Sequence, residues 1–368
     1  MMKRLTALLL VLTLILTCAV TATAAQKNSK DEEEGWTTIK GKVKTSVKLK
    51  KYADNPVIEG MNSLTGLEAS GEAYTPILMV LDNTPEAQPH WGVRYADILF
   101  QIPNQGGGNT KMLALFANEY PEMAGGARSG RAQMLPLMLS WDTAFAYAGG
   151  PPLKKNSNEN VEYLLSKWGI SKEGKKFNLL SGEYTERVKW YKDAHNLSVN
   201  LKEIHEDLIE NNVKFEERPF KFTDEPRTEG ETANHIKVLC RSDAKDPDIN
   251  MDNSCKFDWD EEKNAYIRSN MKAVYKDRDT DEALLFNNVI VLRCTFDHQG
   301  EYMHIRDHMI GNGTAEIFQN GKYVQGAWKR VQGGRIVLVN PDGSELEMQR
   351  GKSFIVVTNA NTYVRYQE

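Results

Sequence analysis

The segment "AEIFQNGKYVQGAW", residues 315–328, carries the sharpest fold signal in the chain. Two strand-like runs flank Asn320-Gly321, and Asn-Gly favours a two-residue β-turn because both central positions need positive φ. The segment therefore predicts an antiparallel hairpin. Downstream, "GGRIVLVNPDGSELEMQ" (333–349) repeats the pattern around Asp342-Gly343, and "KSFIVVTN" (352–359) reads as a closing strand. Residues 235–368 accordingly read as a mainly antiparallel β domain.

Upstream lies "ERPFKFTDEPRTEGETAN" (217–234), a charged stretch with two prolines and a glycine that reads as a linker. Residues 61–216 mix strands and helices without a strict βαβ repeat. "TPILMVLDN" (75–83), "ADILFQI" (96–102), "MLALFA" (112–117) and "WDTAFAYAGG" (141–150) are expected strands. "RAQMLPLMLSW" (131–141) predicts a helix that starts or kinks at Pro136. "NENVEYLLSKWG" predicts a short helix capped by Asn158 and stopped at Gly169. A further helix is expected with Leu201, Ile204, Leu208 and Ile209 on one face. The fold class is α+β: a mixed α/β N-terminal domain followed by the β domain.

Lys3 and Arg4, the apolar run from Leu5 to Val20 and "TATAAQ" together read as an export signal over residues 1–25. Two processing routes stay open, cleavage after Ala24 or lipidation of Cys18. Either takes the mature chain out of the cytoplasm, secreted or held at the outer face of the membrane by a lipid. Residues 26–60, with "KDEEE" and "KGKVKTSVKLKK", read as a charged tether, either a solvated spacer or a contact for anionic wall polymers. The formal charge of −4 over 368 residues argues against nucleic acid as a partner. Cys240 and Cys255 bracket an acidic loop, which predicts a disulfide in an oxidising compartment. Cys294, inside a β-branched run, is expected to be a buried thiol.

"PEMAGGARSGRAQ" (121–133) raises the functional question. Arg128, Ser129 and Arg131 follow a Gly-Gly pair and precede an expected helix start, an arrangement suited to phosphate or carboxylate. Lys111 and Gly107 in "QGGGNTK", and His195 and Asn196 in "DAHNLS", are candidates to converge on the same ligand-binding cleft. The other reading pairs the arginines with Glu119, Glu122 or Asp142 as struts. Ser129 lacks a nameable base and acid, which argues against a nucleophile. Asp246, Asp248 and Asn250 have calcium-loop spacing, but Met251 and Phe257 stand where glycine and glutamate belong. His304 and His308 are expected on one solvent-facing strand face. No metal site and no cofactor are assigned.

Several stretches resemble, in order, motifs of the YerB-like lipoproteins. They include "NSLTGLEA", "DNTPEAQPHWGVRYADILFQ", "QGGGNTKMLALFANEYPEMAGGARSGR", "DAHNLSVN" and "IGNGTAEIFQNGKYVQGAWKR". That family pairs two domains of unknown function, and the resemblance spans roughly residues 62–366. It implies a membrane-anchored extracytoplasmic protein with a mixed α/β first domain and a β-rich second, and it implies no reaction. Gln101, Gln105 and Lys111 stand where relatives carry two acids and an arginine. Two amides cannot act as acid and base at neutral pH. The expected function is therefore non-catalytic binding of an anionic small molecule, envelope polymer or protein. The alternative is an envelope hydrolase or transferase acting on a wall glycan or peptide.

Overall fold

The computed structural model describes residues 35–48, 57–104, 110–239, 254–270, 273–299 and 302–368. The export signal with Cys18, Gly107 and Gln105 in the glycine loop, Cys240, and the acidic loop with Asp246, Asp248 and Asn250 lie outside them. Residues 38–368 form one compact unit.

The N-terminal half contributes strands β1 (Ile77–Leu81), β2 (Ile98–Pro103), β3 (Thr110–Phe116), β4 (Ala144–Tyr147) and β5 (Lys176–Asn178). Helix α1 (Leu135–Trp141) precedes β4, α2 (Val161–Lys167) lies between β4 and β5, and α3 (Leu201–Glu210) follows β5. Pro136 occupies the first turn of α1, where its missing N–H costs nothing. Asn160, not Asn158, caps α2: its side chain accepts from Tyr163 N at 3.2 Å. Both residues are asparagines next to the helix, and backbone geometry chose between them. In α3, Leu201, Ile204 and Leu208 are buried, but Ile209 is 46% exposed, so the apolar stripe is narrower than its sequence spacing.

The C-terminal half adds β6 (Glu231–Thr232), β7 (His235–Leu239), β8 (Ser254–Asp260), β9 (Ala265–Asn270), β10 (Asn288–Arg293), β11 (Gly311–Gln319), β12 (Lys322–Arg330), β13 (Ser353–Thr358) and β14 (Tyr363–Gln367). The hairpin β11–β12 pairs from Gly311–Arg330 down to Gln319–Lys322, around Asn320 and Gly321 with φ of 51° and 66°. Strands β14, β7, β8 and β9 are neighbours in a second, antiparallel sheet. The C-terminal half is thus mainly β.

One sheet runs through both halves, in the order β6-β12-β11-β10-β13-β2-β3-β1-β4-β5. Strand β13 joins them, running parallel to β10 on one side and to β2 on the other. Its sequence, "SFIVVT", is buried throughout, and such unbroken apolar runs belong to strands covered on both faces. The turn chemistry that identifies the hairpin therefore misses how β13 pairs, and β14 rather than β13 closes the chain. In β1, Ile77, Met79 and Leu81 enter one core while Leu78 and Val80 enter the other, so both sheet faces are covered.

Segments 217–234 and 41–48 both lie against this framework. Lys221–Thr223 pairs with Glu347–Gln349, and β6 pairs with β12. Val43 O accepts from Thr314 N at 2.9 Å, and Val47 packs on Ala327, Val337 and Val339. Cys255 is buried in β8 and its thiol faces Val238 O at 3.9 Å. No disulfide forms among the described residues; the expected partner, Cys240, lies outside them. Cys294 is 1% exposed, and burial pushes its thiol pKa up. Among the described residues no helix is long and apolar enough to cross a membrane.

Candidate functional site

The polar centre grows from the end of β1. Asp82 follows Leu81 directly and is fully buried. Its backbone N donates to Gly126 O at 2.9 Å, and Arg128 N donates to Val80 O at 2.9 Å. The glycine-arginine segment therefore runs beside the strand end. The glycines have a packing cause. A Cβ on Gly125 would stand 2.2 Å from the Trp91 ring, and one on Gly126 would stand 2.5 Å from His195 O. Only glycine lets Trp91 and the His195 backbone close on this segment.

That approach delivers two cationic or ionisable side chains to one carboxylate. Arg128 Nε lies 3.1 Å from Asp82 Oδ2, and His195 Nδ1 lies 2.9 Å from the same oxygen. Thr84 Oγ1 is 3.4 Å from His195 Nδ1. With Nδ1–H donating to the carboxylate, the imidazole turns Nε2 outward. The terminal amino groups of Arg128 bond no protein group among the described residues.

Lys111 stands across from Asp82 when the Leu81–Met112 pairing of β1 and β3 is carried one step further. It is half-buried and has no hydrogen bond or ion pair among the described residues. Burial pushes its pKa down to about 8; Asp82 opposes this, while Arg131 and Arg128 add to it. Arg131 donates from Nη1 to Gly130 O at 2.9 Å. Lys111 thus stands near Asp82 and two guanidinium groups, one of which Asp82 binds.

The other candidates distribute differently. Ser129 is half-buried and makes no side-chain hydrogen bond among the described residues. Asn196 is buried inside its own loop, where Arg187 Nη1 donates to it at 2.7 Å and its amide donates to Val188 O at 3.2 Å. It shapes the loop that presents His195. Two of the three carboxylates considered as struts for the arginines are engaged elsewhere, Asp142 by Lys175 at 2.8 Å and Glu122 by Lys202 at 3.0 Å. Gln101 is buried on the opposite face of the sheet. Its amide donates to Thr110 Oγ1 at 3.1 Å, and Asn83 donates to the same hydroxyl at 2.7 Å.

His308 does not share a strand with His304. It sits in a short turn with φ of 51°, its ring 5.0 Å from that of Trp168. No group of three or more metal-ligating side chains occurs among the described residues.

Two residues of the centre were not singled out from sequence. Asp82 was hidden as the end of a strand, and His90 inside "QPHWG". His90 is fully buried; its Nε2–H donates to Asp82 O at 2.7 Å and its Nδ1 accepts from Tyr275 of the C-terminal half. Burial lowers its pKa to about 4, so it is neutral at physiological pH.

Comparison with known proteins agrees with this architecture. Residues 64–214 match the family described as "Protein of unknown function (DUF3048) N-terminal domain", and residues 247–355 match the corresponding C-terminal domain. The chain belongs to the YerB-like family. It is 26% identical over 302 residues to the Bacillus subtilis (strain 168) protein described as "Putative lipoprotein YerB", covering 79% of this chain and 84% of that one. The crystal structure of YerB from Bacillus subtilis is similar with a TM-score of 0.66 at 24% identity, over 83% of this chain and 99% of that one. That likeness speaks for the fold. The relative's description as a lipoprotein fits an extracytoplasmic, membrane-anchored location.

Proposed function

We propose that this YerB-like chain is a non-catalytic envelope binding protein whose Arg128, Arg131 and Lys111 receive the phosphate or carboxylate of a small molecule, wall polymer or partner protein. The observation that carries this reading is Lys111: a half-buried ammonium beside two guanidinium groups, without an ion-pair partner among the described residues. Clustered cations in a desolvated place repel one another, and an incoming anion relieves that repulsion. Arg128 brings a fixed orientation, because Asp82 holds its Nε and leaves the far side of the fork for ligand.

Calorimetric titration of the full chain with inorganic phosphate tests the reading. Binding is expected to weaken as salt rises. Arg128→Ala should remove about 1.5–3 kcal/mol of binding free energy, as for a hydrogen bond to a charged group. Phosphate binding that is absent, or indifferent to both Arg128→Ala and Lys111→Gln, would overturn it.

One observation favours the second reading, a hydrolase or transferase acting on a wall glycan or peptide. Asp82 orients His195 through Nδ1, the way a carboxylate sets an imidazole for proton transfer at Nε2. Turnover of wall fragments that disappears in His195→Gln would put that reading first.

A further inference from the structure

A second polar site lies in the C-terminal half, away from the Asp82 centre. Segment 223–229, the end of β11 and the loop 340–349 enclose a cavity of about 500 Å³. That size falls in the usual range of ~300–1,000 Å³ for small-molecule sites. Half-buried Arg227 stands in its wall. Its Nε donates to Gln319 Oε1 at 2.9 Å and its Nη2 to Asn340 Oδ1 at 2.8 Å. Its own carbonyl accepts from Asn320 Nδ2 at 2.9 Å, beside the hairpin turn.

The guanidinium is thus fixed in place by neutral amides. No carboxylate lies within ion-pair distance of it among the described residues, and Nη1 bonds no protein group. Burial lowers its pKa, with Glu229 opposing at longer range. A partly desolvated cation held only by neutral dipoles still favours an anionic partner.

The mouth has the opposite character. Of the carboxylates that line the cavity, Glu225, Glu229 and Asp342 are exposed and Glu347 pairs with Lys221 at 2.7 Å; Glu225 and Glu229 make no ion pair among the described residues. They repel a simple anion. A ligand satisfying both the wall and the mouth carries both charges, with its carboxylate inward and its ammonium outward. We infer that this cavity binds a short zwitterionic peptide, its carboxylate on Arg227 and its ammonium beside Glu225 and Glu229.

Titration of the full chain with the dipeptide Ala-Ala, N-acetyl-Ala-Ala, Ala-Ala-amide and inorganic phosphate tests this. The free dipeptide should bind, and each blocked form should bind at least about tenfold more weakly, the scale of one lost charge-assisted contact. Arg227→Gln should abolish the advantage of the free carboxylate. If Arg227→Gln fails to fold, the double variant Glu225→Gln/Glu229→Gln still decides the matter, since both carboxylates are exposed. It should abolish the advantage of Ala-Ala over N-acetyl-Ala-Ala, weakening the free dipeptide and, with the repulsion gone, not weakening the acetylated form. No binding of Ala-Ala, equal binding of free and acetylated dipeptide, or displacement of Ala-Ala by equimolar phosphate would each overturn the inference.

Discussion

Two charged clusters on the same continuous sheet invite comparison: Arg293 with Glu316 in the C-terminal half, and Asp82 with Arg128, His195 and Lys111 in the N-terminal half. Arg293 and Glu316 are both fully buried, 3.2 Å apart. Arg293 Nη1 also donates to Asn359 O at 2.9 Å and Thr362 O at 2.8 Å, while Tyr323 donates to Glu316 at 2.9 Å. Charge is balanced, and both members of the pair make further hydrogen bonds, as a sealed interior requires. At Asp82, cations outnumber the carboxylate, and Arg128 and His195 keep 33% and 21% of their side-chain exposure. Balanced and closed marks a structural pair. Unbalanced and open marks a place where a further charge belongs.

The largest effect expected is at the sealed pair. Glu316→Ala leaves Arg293 buried without its counter-ion and should cost about 3–5 kcal/mol in denaturant unfolding. A loss under 1 kcal/mol would erase the contrast between the clusters.

The next test concerns the seam between the halves. His90 is neutral in the folded chain, with a pKa of about 4, whereas the unfolded chain takes up that proton near the ordinary 6.5. Between these values the unfolded state binds more protons, so stability falls as pH drops through the window. The loss by pH 4 should be about 2–3 kcal/mol. Urea unfolding at stepped pH should show that limb, and His90→Gln should flatten it.

The smallest effect sharpens the open cluster. Lys111→Gln should raise stability by about 0.5–2 kcal/mol, the usual scale when a functional compromise is removed. The same change should weaken phosphate binding. Because Lys111 titrates near 8 rather than 10.5, the unfolded state binds more protons between those values, and stability should rise with pH across that window. Phosphate affinity should begin to fall above about pH 8 as the ammonium is lost. An affinity flat from pH 7 to 10 would detach Lys111 from the ligand.

How much of this is legible in the sequence depends on range. Arg128, Lys111 and His195 announce themselves as polar residues beside glycines or turns. Asp82, which collects them, is one aspartate at a strand end among many similar ones. The glycine pair attracted attention as a place for ligand approach, yet what approaches it is Trp91 and the backbone of His195. Both have one source: spacing along the chain reports local conformation, and contact partners come from far away.

By itself the sequence determined the Asn320-Gly321 hairpin, the helices and the membership of the YerB-like family, because turn chemistry, periodicity and motif order act within a few residues of each other. The tertiary structure alone decided that β13 joins both halves into one sheet, that Asn160 rather than Asn158 caps α2, and that Asp82 binds Arg128 and His195. A strand buried on both faces carries no pattern naming its neighbours, and a carboxylate's partners depend on which loops the core packing brings over it.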